Sequence, residues 1–138
     1  MKGMVSTLDL DKESLVRRAG EWPGFIGQDL VRDITCKEPY GWADNRPVVG
    51  NNFTTAATGT FKVVAFDFGI KYNQLRILTE KGCRVQVVPA HTSAEAVLAM
   101  QPDGIFLSNG PGDPEPVTYA IETIKNLVGF CPMFGICL

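Results

Sequence analysis

The sequence predicts an α/β protein built on a doubly wound parallel sheet, and three observations carry that expectation. From residue 61 onward, short apolar runs alternate with segments of helical spacing. Each run ends at a Gly, Pro or Asn-rich turn, and the connections are short. Apolar runs bounded by turns suit strands buried on both sides. Strands separated by single helices imply parallel pairing with helices on both faces.

Residues 62–68 (KVVAFDF) form the first β-rich run, ended by Gly69. Residues 71–81 carry Leu75, Ile77 and Leu78 at helical spacing, with Gly82 as the residue just past the helix end. Residues 83–88 are a second strand, with Val85, Val87 and Val88 apolar. Thr92 opens a capping box, T-S-A-E, with Glu95 three residues on, so a helix is expected from there to about Met100. Pro102, Asp103 and Gly104 make a turn, and residues 105–107 a third strand. The loop SNGPGDPEP follows, then a third helix over 117–128 and a fourth strand over 132–136. The strand tips at Asp67-Phe68-Gly69, at residues 108–113 and at Cys137 are expected on one edge of the sheet, where such folds bind ligands.

Residues 1–58 read differently. KGMVST reads as a short strand, and Asp11 as the cap of a helix over 12–19 that Gly20 ends. Many Gly, Pro and Trp residues follow, so the stretch reads as loop-rich, with one extended piece over 30–36. NNFTTAATG, residues 51–59, reads as a connector. The chain therefore divides at 58/59, into the tail of a separate N-terminal domain and a regular α/β unit.

Composition is that of a globular protein, with 138 residues, 45% hydrophobic and 20% charged. A net charge of -2 gives no footprint for nucleic acid or an anionic membrane surface. No run approaches a membrane span, and the N-terminus lacks a signal-peptide core, so a cytoplasmic setting is expected. The four cysteines form no CxxC pair and His91 is the single histidine, so no metal site is expected.

Two stretches carry chemistry. In Asn109-Gly110-Pro111-Gly112-Asp113, glycines flank a proline, which fixes a turn with bare amides. Such amides can bind an anion or a developing oxyanion; a tight turn that simply needs its glycines is the plain alternative. Gly135-Ile136-Cys137-Leu138 resembles the first part of a nucleophile elbow, with a buried structural cysteine as its plain alternative. Asp67-Phe68-Gly69 shares letters with the DFG of protein kinases, but no HRD loop, Gly-rich ATP loop or β3 lysine precedes it.

Taken together, FGICL and NGPGDP resemble the class I, triad-type glutamine amidotransferases. Within them the resemblance is strongest to the small chains of carbamoyl-phosphate synthase. It runs through residues 63–78 (VVAFDFGIKYNQLRIL) and 92–116 (TSAEAVLAMQPDGIFLSNGPGDPEP). Residues 23–35 (PGFIGQDLVRDIT) resemble the end of the small chain's N-terminal domain, which the glutamine subunits of anthranilate or aminodeoxychorismate synthesis do not carry.

The resemblance implies that 59–138 is the first half of a flavodoxin-like amidotransferase sheet. It implies Cys137 as the nucleophile toward L-glutamine, with Gly110, Gly112 and Leu138 holding substrate and lining the oxyanion hole. It also implies a large synthetase chain as partner. That partner carries ATP and Mg, receives the ammonia and makes carbamoyl phosphate for pyrimidine and arginine synthesis. No cofactor is expected in this chain. The family's His and Glu match nothing here, since His91 precedes the NGPGDP loop. The 138 residues are thus expected to be an internal piece of a longer small chain, inactive alone and with an apolar edge exposed. A phosphate-binding flavodoxin-like module and a non-catalytic docking piece are the rival readings.

Overall fold

A computed structural model of the chain describes residues 2–50, 53 and 58–137. The element order is α1 (Lys12–Glu21), α2 (Val31–Ile34), β1 (Tyr40–Ala43), β2 (Arg46–Val49), β3 (Phe61–Asp67), α3 (Tyr72–Glu80), β4 (Cys83–Pro89), α4 (Ala94–Ala99), β5 (Gly104–Leu107), α5 (Thr118–Leu127) and β6 (Met133–Gly135). One six-stranded sheet runs β2-β1-β4-β3-β5-β6. Its last four strands are parallel, as expected; β1 joins β4 and β2 antiparallel.

Alternation along the strands makes two cores. Val63 and Ala65 on β3, Val85 and Val87 on β4, and Phe106 on β5 pack with Leu75 of α3 and with Trp42 of β1. Val64, Phe66, Val88 and Ile105 face the other way, against Val97 of α4 and Ala120 and Leu127 of α5. One helix thus covers one face and two cover the other, which is the doubly wound arrangement. Gly82, at φ 85, closes α3 from the left-handed position expected of it. Among the described residues, no helix is long and apolar enough to cross a membrane.

Four local expectations need correction. Residues 2–7 form no strand; Ser6 Oγ instead accepts from the Leu8 and Asp9 N–H groups at 3.2 and 2.9 Å and turns the chain. Helix α1 is capped by Asp11 as expected, but runs past Gly20 to Glu21. Pro23 ends it, because the residue before a proline is driven out of the helical region; Trp22 sits at ψ 127. The piece over 30–36 is not extended but holds the single turn α2, closed by Arg32 N–H donating to Asp29 Oδ1 at 3.1 Å. The cap of α4 is Ser93, not Thr92. Ser93 Oγ accepts from Ala96 N–H at 3.3 Å, while Thr92 Oγ1 donates back to the Pro89 carbonyl at 2.8 Å.

The β1–β2 hairpin is a further departure, since residues 40–49 were expected in loops. Its turn is Asp44-Asn45, both at positive φ, the mirror-image turn whose twist suits a hairpin. Pro47 is tolerated because β2 is an outer strand. The hairpin covers β4, and the buried Gln86 in that strand ties the next stretch down. Its Oε1 accepts from Phe53 N–H at 3.0 Å, and its Nε2 donates to the Gly50 carbonyl at 3.3 Å. Most of the connector at 51–59 lies outside the described residues. At the opposite margin, among the described residues, β6 pairs with β5 alone, and Phe134 on it is exposed.

Candidate functional site

The three strand tips named from the sequence come together at the carboxyl ends of β3, β5 and β6. Asp67, the last residue of β3, is buried, and among the described residues it has no basic partner within hydrogen-bond reach. Its Oδ1 accepts from Gly69 and Ile70 N–H at 2.9 and 2.8 Å, and its Oδ2 from Cys36 N–H at 2.9 Å. One carboxylate thereby fixes the turn after β3 and anchors the segment that follows α2. Charge-assisted bonds of this kind offset the cost of burying the acid.

The next tip is tied to the first. Ser108, buried just past β5, accepts from Phe68 N–H at 3.0 Å and donates to the Asn109 carbonyl at 2.9 Å. Its neighbour Asn109 accepts at Oδ1 from Gln74 Nε2, 2.8 Å away on α3. Gln74 Oε1 in turn accepts from Lys71 N–H at 3.3 Å, capping that helix.

Both loop glycines are demanded by geometry. A Cβ at Gly110 would run into the Phe68 carbonyl oxygen and lie 3.2 Å from Phe68 Cβ. Gly112 has φ 80, and a Cβ there would lie 3.1 Å from Leu30 Cδ1. Among the described residues the Gly110 and Gly112 N–H groups have no backbone partner. They are the bare amides that the sequence suggested.

Strand β6 brings the third tip alongside. Leu107 pairs with Gly135, and Ile136 N–H donates to the Leu107 carbonyl at 3.0 Å. Cys137 and the loop therefore leave adjacent strands, roughly 5 Å apart, in the same direction. Cys137 is exposed and has φ 74. A non-glycine residue held there costs on the order of 1–3 kcal/mol, and such strain concentrates at functional sites. The sharp bend is made by the cysteine itself: a Cβ at Gly135 would meet Leu107 Cβ at an ordinary 3.7 Å. Leu138, expected to contribute to the oxyanion hole, lies outside the described residues. Beneath the tips, Phe68, Leu107, Val117, Ile121 and Ile136 line an apolar cavity of about 200 Å³.

The other thiols are held neutral. Burial, reinforced by the Asp67 carboxylate, pushes Cys36 up to about 12. Burial also raises Cys83, and raises Cys131 with help from Asp103. At pH 8, one equivalent of iodoacetamide is expected on Cys137 first, since the thiolate is the reactive form and the other three thiols are shielded. Peptide mapping checks this; labelling of Cys36 at the same rate would contradict it. Because the folded-state value of Cys36 is raised, its contribution to stability is full below the ordinary thiol range. That contribution is lost as pH climbs toward about 12.

His91 sits exposed in the turn after β4, in a cleft with Arg32, Cys36, Lys37 and Tyr119. Asp67 and Ser108 were named in the sequence only as parts of strand tips, not as supports of the site, and Gln74 was not singled out. A polar residue at a strand's carboxyl end, two residues before a Gly, was the available signal for Asp67.

The doubly wound α/β sheet thus places a cysteine in the left-handed region at one strand tip and a bare-amide glycine loop at the next. The family model described as glutamine amidotransferase class-I matches residues 64–138. The chain belongs to that family.

Among its curated relatives is a carbamoyl phosphate synthase small chain from Syntrophotalea carbinolica, 54% identical over 138 residues, covering 99% of this chain and 36% of the relative. The protein of that name from Haemophilus ducreyi is 55% identical over 126 residues, covering 87% and 32%. The one from Neisseria meningitidis serogroup B is 53% identical over 115 residues, covering 83% and 30%. The chain spans about a third of the length of these relatives.

Proposed function

We propose that the chain is the nucleophile-bearing part of a glutamine-hydrolysing carbamoyl-phosphate synthase small chain. The observation that carries this is Cys137 at φ 74, beside the Gly110–Gly112 loop. The names and identities of the relatives support it.

In this reading Cys137 Sγ, as thiolate, attacks the carbon of the glutamine side-chain amide. The carbonyl electron pair moves onto oxygen, and the N–H groups of Gly110, Gly112 and Leu138 receive the charge. When the pair returns, the C–N bond breaks and the nitrogen leaves as ammonia after taking a proton. Water then cleaves the γ-glutamyl thioester to glutamate and restores the thiol.

The ammonia goes to a large synthetase chain, which binds ATP and Mg and builds carbamoyl phosphate in the cytoplasm for pyrimidine and arginine synthesis. The thiol needs a base and the leaving group an acid. His91, the single histidine, opens onto a different cleft. The 138 residues alone are therefore expected to turn over no measurable glutamine. The longer small chain, assembled with its large chain, should do so readily. Glutamate release by both preparations tests this. Turnover by the 138 residues would contradict the assigned need for a separate base, and no turnover by the assembled enzyme would sink the reading.

A further inference from the structure

The loop that carries Gly110 and Gly112 is held from a distant part of the chain. Asp113 closes the loop: its Oδ1 accepts from Glu115 N–H at 3.0 Å. Its Oδ2 accepts from Gly27 N–H at 3.1 Å, across 86 residues of sequence. Gly27 lies in a turn at φ 75, in the left-handed region that favours glycine.

The same segment packs on the loop with apolar groups. Leu30 Cδ1 would be 3.1 Å from a Cβ at Gly112, and Ile34 Cδ1 2.7 Å from one at Gly69, which also neighbours Pro111. At the other end of the loop, Gln74 holds Asn109. The loop is thus pinned at Asn109 from α3 and at Asp113 from the segment before α2. The amides between these pins are the ones left without backbone partners among the described residues. The Glu115 and Gly27 N–H groups hold the Asp113 carboxyl below the ordinary carboxylate range, so it is ionised at neutral pH.

We infer that Asp113 is a positioning residue: by gripping Gly27 it fixes the Gly110–Gly112 amides where charge develops during glutamine hydrolysis. This rests on the glutaminase reading of the loop. Amides serve a transition state only when held in place beforehand, and a displacement of about 1 Å can cost as much as ~100-fold in rate. Asp113 touches no reacting atom in this account; it acts through the loop backbone.

The test uses the longer small chain assembled with its large chain, with Asp113→Ala and Asp113→Asn. The alanine variant loses both acceptors. The asparagine variant keeps one carboxamide oxygen, and so one of the two bonds. Glutamine-dependent kcat/KM is expected to fall about 10- to 100-fold in Asp113→Ala and to recover part-way in Asp113→Asn. Synthesis driven by added ammonia, which bypasses the site, should keep its wild-type rate. Amide hydrogen exchange at Gly27 and Glu115, whose N–H groups Asp113 holds, gives a readout independent of activity, and is expected to accelerate about tenfold in Asp113→Ala.

Wild-type kinetics or unchanged exchange in Asp113→Ala would overturn the inference. So would an equal loss of ammonia-driven synthesis, because the damage would then be general. If the wild-type enzyme hydrolysed no glutamine, the functional reading would fail and the catalytic role of Asp113 with it. Exchange at Gly27 and Glu115 would still decide separately whether Asp113 braces the loop.

Discussion

On the proposed reading, replacing Cys137 by alanine is expected to lower glutamine-dependent carbamoyl phosphate synthesis by at least about 10³-fold, while synthesis from added ammonia continues. The thiol is the only group removed. The Gly110–Gly112 amides and the apolar cavity beneath them are untouched, so glutamine still binds within a few-fold of its normal affinity. Stability should barely move. Alanine at φ 74 is strained in the same way as cysteine, because both carry a Cβ, so the substitution neither relieves nor adds backbone strain. Loss of kcat without loss of fold or binding is the signature of a nucleophile. Steady-state kinetics with each nitrogen source, beside a melting curve, reads all three quantities. A variant that kept a tenth of wild-type glutamine activity would remove Cys137 from the chemistry.

The second large effect belongs to Gly110→Ala. Its added Cβ would strike the Phe68 carbonyl oxygen and crowd Phe68 Cβ at 3.2 Å. Phe68 cannot retreat easily. It is buried, its ring stacks on Phe66 with centroids 5.9 Å apart, and its N–H is held by Ser108 at 3.0 Å. The loop must move instead. Overpacking of this kind costs about 1–3 kcal/mol. If Gly110 donates to the oxyanion as proposed, displacing it is expected to cost a further ~10²–10³ in kcat. Gly135→Ala is the informative contrast: its Cβ would sit 3.7 Å from Leu107 Cβ, ordinary contact, and its melting point should stay within a degree or two of the parent's, as expected for less than ~1 kcal/mol. Equal melting points for the parent and Gly110→Ala would show that the Phe68 carbonyl does not limit the loop.

The legible and illegible parts of this chain divide along physical lines. The parallel unit was readable because each strand is a burst of β-branched or aromatic residues, stopped by residues that stop strands or helices. Val85, Val87 and Val88 follow Gly82, and Ile105, Phe106 and Leu107 follow Gly104. Cys137, Gly110 and Gly112 could be nominated because the chemistry proposed for them depends on residue type at fixed spacing.

The β1–β2 hairpin was not readable. Its strands are four residues each, one carries Pro47 and the other Gly41, and only pairing with β4 makes the short run around Trp42 worth burying. Helix α2 is one turn, too short for any periodicity. Its form is set by Asp29 and by burial of Val31 against the body of the protein.

The supports of the site were hidden for a related reason. Asp67 reaches Cys36 across 31 residues, Gln74 reaches Asn109 across 35, and Asp113 reaches Gly27 across 86. Local spacing carries no trace of such pairings. They exist only once the sheet has brought its strand tips together and the segment before α2 has been laid over them.

The measurement that tests the central claim most directly is peptide mapping by mass of the assembled enzyme, acid-quenched during turnover of glutamine. A γ-glutamyl group is predicted on the peptide that carries Cys137, absent when glutamine is omitted and absent in Cys137→Ala. An adduct on Cys36, Cys83 or Cys131 instead would contradict the account. So would an enzyme that hydrolyses glutamine at its full rate with Cys137 replaced.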